Sequence, residues 1–179
     1  MLLTASWQLC AAAYIPVKAA VAQRLLERAW DRAREGGAEP RPWPWADTFP
    51  VARLSAPRQD VDLIVLSGAS GRTLAFGPGF LEGSALPGES GLTVVAGHRD
   101  THFAFLRTVS IGDSLRLDLP DGRELDFVVR ETKIVDSRRI GIDLDAPGAA
   151  LMLVTCYPFD ALRAGGPLRY RVIAEPVKT

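Results

Sequence analysis

The chain has little sulfur, little imidazole and no excess of charge. Its 179 residues include two cysteines, Cys10 and Cys156, and two histidines, His98 and His102. That is too few for a disulfide framework or a cysteine-rich metal module. A chain of this length buries enough core to do without a bridge. The basic and acidic residues number 21 each, giving a formal net charge of zero. The basic footprint of a nucleic-acid binder is therefore missing. Neither a P-loop nor a Rossmann glycine pattern occurs, so nucleotide binding has no support. A long hydrophobic run is also missing. The apolar N-terminus, Met1 to Val17 with its first charge at Lys18, is short for a full span. It has no basic n-region of the secretory type. Three readings fit it: a signal anchor, an interfacial helix, or a core helix. The anchor is the expectation taken forward.

What the chain does contain falls into three parts. Ala19 to Glu35 places Val21, Leu25, Leu26, Ala29 and Trp30 on one face and charges largely on the other, the spacing of an amphipathic helix. Gly36-Gly37 ends it. With the apolar stretch before it, this helix makes an N-terminal segment, residues 1–35. Residues 36–49 form a linker in which Pro40, Pro42 and Pro44 punctuate Trp43 and Trp45. The tryptophans either staple the linker to the body or lie at a membrane surface. From Pro50 to Thr179 the character is β. Short runs at Val51–Leu54, Val61–Leu66, Leu92–Ala96, Ser114–Leu119, Glu124–Val135, Leu151–Cys156 and Arg169–Val177 read as strands. A glycine- and proline-rich irregular stretch fills Gly68 to Gly91, and only Thr101 to Thr108 looks helical. Many short strands with few helices indicate a barrel or a sandwich.

The chemistry gathers at two strand ends. Leu151-Met-Leu-Val-Thr-Cys156 is an apolar run closed by Tyr157 and Pro158, and proline cannot continue a central strand. Cys156 is thus delivered to the strand's end. His98 follows Gly97 just past the strand Leu92–Ala96. A Cys–His pair supplies a nucleophile and a general acid/base: imidazolium favours thiolate and then protonates a departing amine. The oxyanion needs a donor, and Arg163, Arg169 and Arg171 all follow soon after the cysteine. The bland alternative is a buried structural cysteine in a non-catalytic β-barrel binding module. A metal site on His98, His102 and Cys156 is a weaker rival, because His98 closes a strand and no acidic ligand pair stands beside it.

Three segments together carry a family resemblance: Val95-Ala-Gly-His-Arg-Asp-Thr-His102, Leu153-Val-Thr-Cys-Tyr-Pro-Phe159 and Arg169-Tyr-Arg-Val-Ile-Ala174. In this order they resemble the sortases, cysteine transpeptidases, and look most like the sortases of Gram-negative bacteria (class GN). Those also carry an N-terminal hydrophobic anchor and a Trp/Pro-rich lead-in. The resemblance covers about Pro50 to Val177. It implies a mainly β fold, a closed eight-stranded sortase-type barrel with short helices, preceded by the N-terminal helix. It implies Cys156 as nucleophile, His98 as general acid and base, and Arg169 as the residue that holds substrate or stabilises the oxyanion. Arg171 shares side-chain parity with Arg169 on a strand and competes with it. Thr155, Tyr157 and His102 are accessory or substrate-binding candidates. Thr155 has the alternative of facing away from Cys156, and His102 that of a structural role at the start of the short helix. Asp100 would cap that helix or orient a histidine.

By the same resemblance the substrate is a protein bearing a C-terminal sorting signal of the Leu-Pro-x-Thr-Gly type. Its acyl group would pass through a Cys156 thioester to an amine, or to water in a plain cysteine hydrolase. No metal or organic cofactor is implied. Gly68 to Ser90 lacks the acidic cluster of calcium-activated members. The expected location is the inner membrane, held through the N-terminus, with the catalytic domain facing the periplasm. No Gly-Cys-x-Arg element suggests the L,D-transpeptidases.

Overall fold

In the computed structural model the described residues are 2–144, 149–161 and 165–177, with residues 2–17 described in backbone only. Helix α1 (Leu2–Arg34) opens the chain. It is one continuous helix where the sequence suggested an apolar stretch followed by a separate amphipathic helix. Among the described residues no helix is long and apolar enough to cross a membrane. The helix ends in a Schellman turn. Gly36, at φ +91°, donates to the Ala33 carbonyl, and Gly37 donates to the Arg32 carbonyl at 2.9 Å. A left-handed residue there asks for glycine, which has no Cβ to clash. Leu26, Ala29, Trp30 and Ala33 are buried, while Val21 is exposed. Leu26 and Trp30 pack with Ile64, Leu66 and Phe76 against the outside of the barrel. Burying each large side chain stabilises by about 1.5–3 kcal/mol, so the second half of α1 is clamped to the domain. In the linker Trp43 meets Phe76 edge-on at 4.8 Å, whereas Trp45 is 82 % exposed.

Eight strands follow: β1 (Pro50–Ala56), β2 (Val61–Ser67), β3 (Gly79–Phe80), β4 (Gly91–Ala96), β5 (Ser114–Asp118), β6 (Glu124–Asp136), β7 (Ala149–Cys156) and β8 (Leu168–Pro176). They close into a barrel in the order β1-β2-β3-β4-β7-β8-β6-β5, and β5 returns to β1. The pairs β2–β3 and β4–β7 are parallel and the rest antiparallel. Seven of these strands match runs legible in the sequence. The eighth, β3, lies inside the stretch read as irregular. Two residues carry no periodicity to detect, and Gly79 is admitted only because a Cβ there would strike the Gly68 carbonyl. The same stretch also holds a single helical turn, α2 (Gly71–Leu74), capped by the Ser70 hydroxyl on the Thr73 amide. The expected helix at Thr101–Thr108 is a 3-10 turn over Ala104–Arg107. Its first turn has no side-chain cap, so Asp100 does not cap it.

Alternation explains the core. β1 buries every second residue, and Leu54, Val65, Val95, Leu115, Leu117, Phe127, Val129, Leu151, Leu153, Val172 and Ala174 fill the barrel interior. β7 departs from alternation because both of its faces are covered. Leu151 and Leu153 enter the interior. Met152 and Val154 pack outside with Leu92 and Val94 of β4 and Ile173 of β8, under Ile142 and Leu144. A continuous apolar run is what such a doubly covered strand requires.

Candidate active site

The parallel pair β4–β7 and the antiparallel pair β7–β8 set the site. Cys156, the last residue of β7, is directly opposite Arg169. On the other side of β7, Ala96 is level with Val154. Gly97 continues the ladder by donating to the Val154 carbonyl at 3.2 Å. Extending that register by one more residue sets His98 beside Cys156. Three residues from segments about 60 and 13 positions apart in sequence thereby come to one level at one end of the barrel, Cys156 closing β7, Arg169 on β8 and His98 just past the end of β4. Parity gives the side. Leu151 and Leu153 point inward, so Met152, Val154 and Cys156 point outward. Cys156 is a free thiol, half-buried. His98 is exposed and Arg169 half-buried. The apolar side chains behind the thiol, Val154 and Met152 flanked by Val94 and Leu92, form a cluster covered by Ile142 and Leu144.

Backbone contacts fix the two ends of the row. The His98 carbonyl accepts from the Phe103 amide at 2.9 Å. Phe103 is fully buried, and its ring lies so close to Gly97 that a Cβ there would sit 2.6 Å from it. The glycine before the histidine is therefore a packing requirement. Arg99, almost wholly buried, donates to the Ala161 carbonyl at 2.7 Å and ties the His98 turn to the β7–β8 loop. Just beyond the thiol, the Tyr157 amide donates to the Leu168 carbonyl at 3.0 Å and closes that loop. Arg169 Nη1 donates to the Gly166 and Leu168 carbonyls at 2.6 and 2.9 Å, so its guanidinium is held against the loop that leads into β8.

The remaining candidates are placed differently. Thr155 is buried and faces inward, and its hydroxyl donates to the Gly97 carbonyl at 2.7 Å. The structure thus corrects the expectation of a hydroxyl near the substrate, because strand alternation turns Thr155 away from the face that carries Cys156. Tyr157 belongs to an aromatic group with Phe159 and Tyr170, at centroid separations of 5.3–6.3 Å. Arg107 lies over the Phe159 ring at 5.4 Å, and Phe159 and Tyr170 pack onto the barrel core. His102 precedes the 3-10 turn and lines a cavity with Asp60, Val61, Asp62, Leu63, Thr101 and Phe105. Burial holds its pKa below the ordinary 6.5, and the nearby His98 pushes in the same direction. Arg171 is on the outer face but opposite Val154, one pair further from the thiol than Arg169. Its guanidinium is engaged by the Ile140 and Gly141 carbonyls. Arg163 lies outside the described residues. Among the described residues no group of histidine, cysteine and carboxylate ligands could hold a metal. Sequence reasoning missed Arg99 as a tether and the Ile140–Leu144 segment as a cover over Leu92, Val94 and Met152. The first is visible in sequence only as part of Gly-His-Arg-Asp, and the second has no motif.

Known proteins share this barrel. A family model for the sortase domain matches residues 54–177. Sortase D of Bacillus subtilis is 35% identical over 125 residues, 69% of this chain and 62% of that protein. The chain thus spans less than two thirds of that relative's length. Among solved structures, sortase C-1 from Actinomyces oris superposes with a TM-score of 0.62 at 29% identity, over 73% of this chain and 76% of that one. Sortase A from Corynebacterium diphtheriae gives a TM-score of 0.62 at 25% identity, over 89% and 86%. A Clostridium perfringens sortase D5 transpeptidase shares the fold, with a TM-score of 0.61 at 22% identity over 73% and 80%.

Proposed function

The chain belongs to the sortase family, and on that premise we propose that it cleaves a Leu-Pro-x-Thr-Gly-like sorting signal through a thioester on Cys156. The observation that carries the proposal is the pairing of Cys156 with Arg169 at one barrel rim, with the β4–β7 register leading His98 to the same level. In this mechanism the Cys156 thiolate attacks the threonine carbonyl of the signal. The developing oxyanion lies on the side of the Arg169 guanidinium, a pre-positioned cationic donor. His98 gives its proton to the departing amine, leaving the acyl group on sulfur. An incoming amine loses a proton to His98, attacks the thioester and expels Cys156 as the thiolate, which restores the starting pair. A non-catalytic binding module would need a cysteine buried away from His98, and the register argues against that.

The further elements of the reading are the class and the location. The Trp/Pro lead-in and the apolar start of α1 support a sortase of the Gram-negative class, held at the inner membrane with the barrel in the periplasm. Cell fractionation with protease protection tests the location.

The mechanism is tested by incubating the protein with a panel of Leu-Pro-x-Thr-Gly peptides and measuring intact mass. A thioester adduct on Cys156 is expected, absent in Cys156→Ala. Arg169→Ala is expected to lower kcat by about 10²-fold or more, the scale of losing one oxyanion donor. Cleavage by Cys156→Ala would refute the mechanism. Adding an amine to the reaction separates transfer from hydrolysis, since only transfer yields the amide product.

A further inference from the structure

The two tryptophans of the linker have no part in the candidate active site, and the structure treats them differently. Trp43 packs edge-on against Phe76 at 4.8 Å, while Trp45 is 82 % exposed. Between the linker and α1 lies an open groove of about 470 Å³, lined by the apolar side chains of Val21, Leu25, Trp43, Trp45 and Phe76 together with Lys18. Val21, which the helical spacing assigned to the buried face, is 52 % exposed. Apolar surface is therefore left uncovered along this flank of the barrel.

Two observations say what covers it. The first is charge. Arg24 and Arg28 fall beside Val21 on the helix surface, one and two turns further on. Lys18, Arg24 and Arg28 are all exposed and have no ion-pair partner among the described residues. The one carboxylate between Lys18 and Arg28 is Glu27, and it is taken up by Arg53 at 3.0 Å. Arg72, also on the groove, is offset by Asp47 at 3.1 Å. The uncovered apolar surface is thus edged by a strip of uncompensated positive charge. The second observation is continuity. α1 runs unbroken from Leu2 into the groove, and no charged residue precedes Lys18. An uncharged helix start, exposed tryptophan and basic side chains on one flank match the chemistry of an anionic lipid surface, where tryptophan sits at headgroup level and cations meet phosphate.

We propose that the Val21–Trp45 groove is a lipid-contact face that lays α1 against an anionic bilayer and fixes how the barrel is turned on it. The proposal rests on the membrane location given above and adds which surface meets the lipid. α1 packs on β1 and β2, which are four and three places from β7 around the ring of eight strands. Cys156 points outward from β7, so its thiol is on the far flank, directed away from the bilayer.

The test uses the full chain and two kinds of vesicle, phosphatidylcholine alone and an equal mixture with phosphatidylglycerol. Each is also prepared with bromine on the acyl chains close to the headgroups, which quenches a tryptophan only on contact. The Trp45 signal is the difference between wild type and Trp45→Phe, a change at an exposed position. That signal is expected to be mostly quenched by the anionic brominated vesicles. Arg24→Gln/Arg28→Gln is expected to weaken binding to the anionic vesicles by about tenfold or more, with binding to phosphatidylcholine within about twofold. Sorting-peptide cleavage in solution is expected to be unchanged in both variants, since neither touches the site. A wild type that binds neither kind of vesicle overturns the membrane location and the contact face with it. Binding with an unquenched Trp45, or an unchanged affinity in the double variant, overturns the contact face alone. So does a lipid-free dimer that Trp45→Ser dissociates, because the groove would then serve a second copy of the chain.

Discussion

Replacing Thr155 by valine separates two roles for a residue one position from the nucleophile. The structure buries the Thr155 hydroxyl and has it donate to the Gly97 carbonyl at 2.7 Å, one residue before His98. Valine keeps the branching and removes the donor. Leaving a buried acceptor without this partner costs about 1–3 kcal/mol, and the added methyl returns under about 0.8 kcal/mol. A net loss of about 1–2 kcal/mol corresponds to a Tm lower by about 2–8 °C for a chain of this size. The untethered Gly97–His98 segment also drifts relative to Cys156. Misplacing a reacting group by about 1 Å costs on the order of 10²-fold. A partial loosening is therefore expected to lower kcat by about tenfold, with KM within about twofold. Thr155→Ser keeps the donor and is expected to restore both Tm and kcat nearly to wild type. The assays are thermal unfolding by circular dichroism and steady-state cleavage of a sorting peptide. If Thr155→Val lowers kcat at an unchanged Tm, the hydroxyl acts on substrate and the tether argument is wrong. If it changes neither, the hydrogen bond has no consequence.

Two other substitutions probe the same turn. In Gly97→Ala the new methyl would sit 2.6 Å from the fully buried Phe103 ring. An overpacking loss of about 1–3 kcal/mol is expected, and pairing it with Phe103→Leu should recover part of that in a double-mutant cycle; strict additivity of the two losses would contradict the contact. His102 has a folded pKa below its ordinary 6.5, from burial first and His98 second. The unfolded chain therefore binds a proton on His102 that the fold resists. This contribution to stability is complete above pH 6.5 and is lost as the pH falls from there through the folded value. Compared with wild type in urea titrations, His102→Gln should lose less stability across that acidic window, and parallel pH curves for the two proteins would contradict the assignment.

Much of the barrel was legible because alternation is local. β1 and β5 bury one face, and a period of two shows which residues those are. The end of β7 was legible too, since Pro158 stops the strand and leaves Cys156 last. The two-residue β3 was not, because its pairing with Leu66 and Val95 is made by neighbours distant in sequence. The single α1 was split in reading because its apolar and amphipathic halves differ in composition while the backbone continues through both.

Cys156 and His98 were proposed from their types and their positions at strand ends, and Arg169 was singled out among three arginines by the family resemblance, which rests on motifs in the chain. Those are properties of the sequence by itself, as is the shared parity of Arg169 and Arg171. Which strand residue pairs with Cys156 is decided by register, and register is a property of paired strands: Cys156 is opposite Arg169, and Val154 opposite Arg171. The target of the Thr155 hydroxyl and the partners of Arg171 were decided the same way. A hydrogen bond to Gly97, 58 residues away, or to Gly141, 30 residues away, exists only once separate segments have been brought side by side. Local pattern fixes which way a side chain points along its own strand, and only closure of the barrel decides what it meets there.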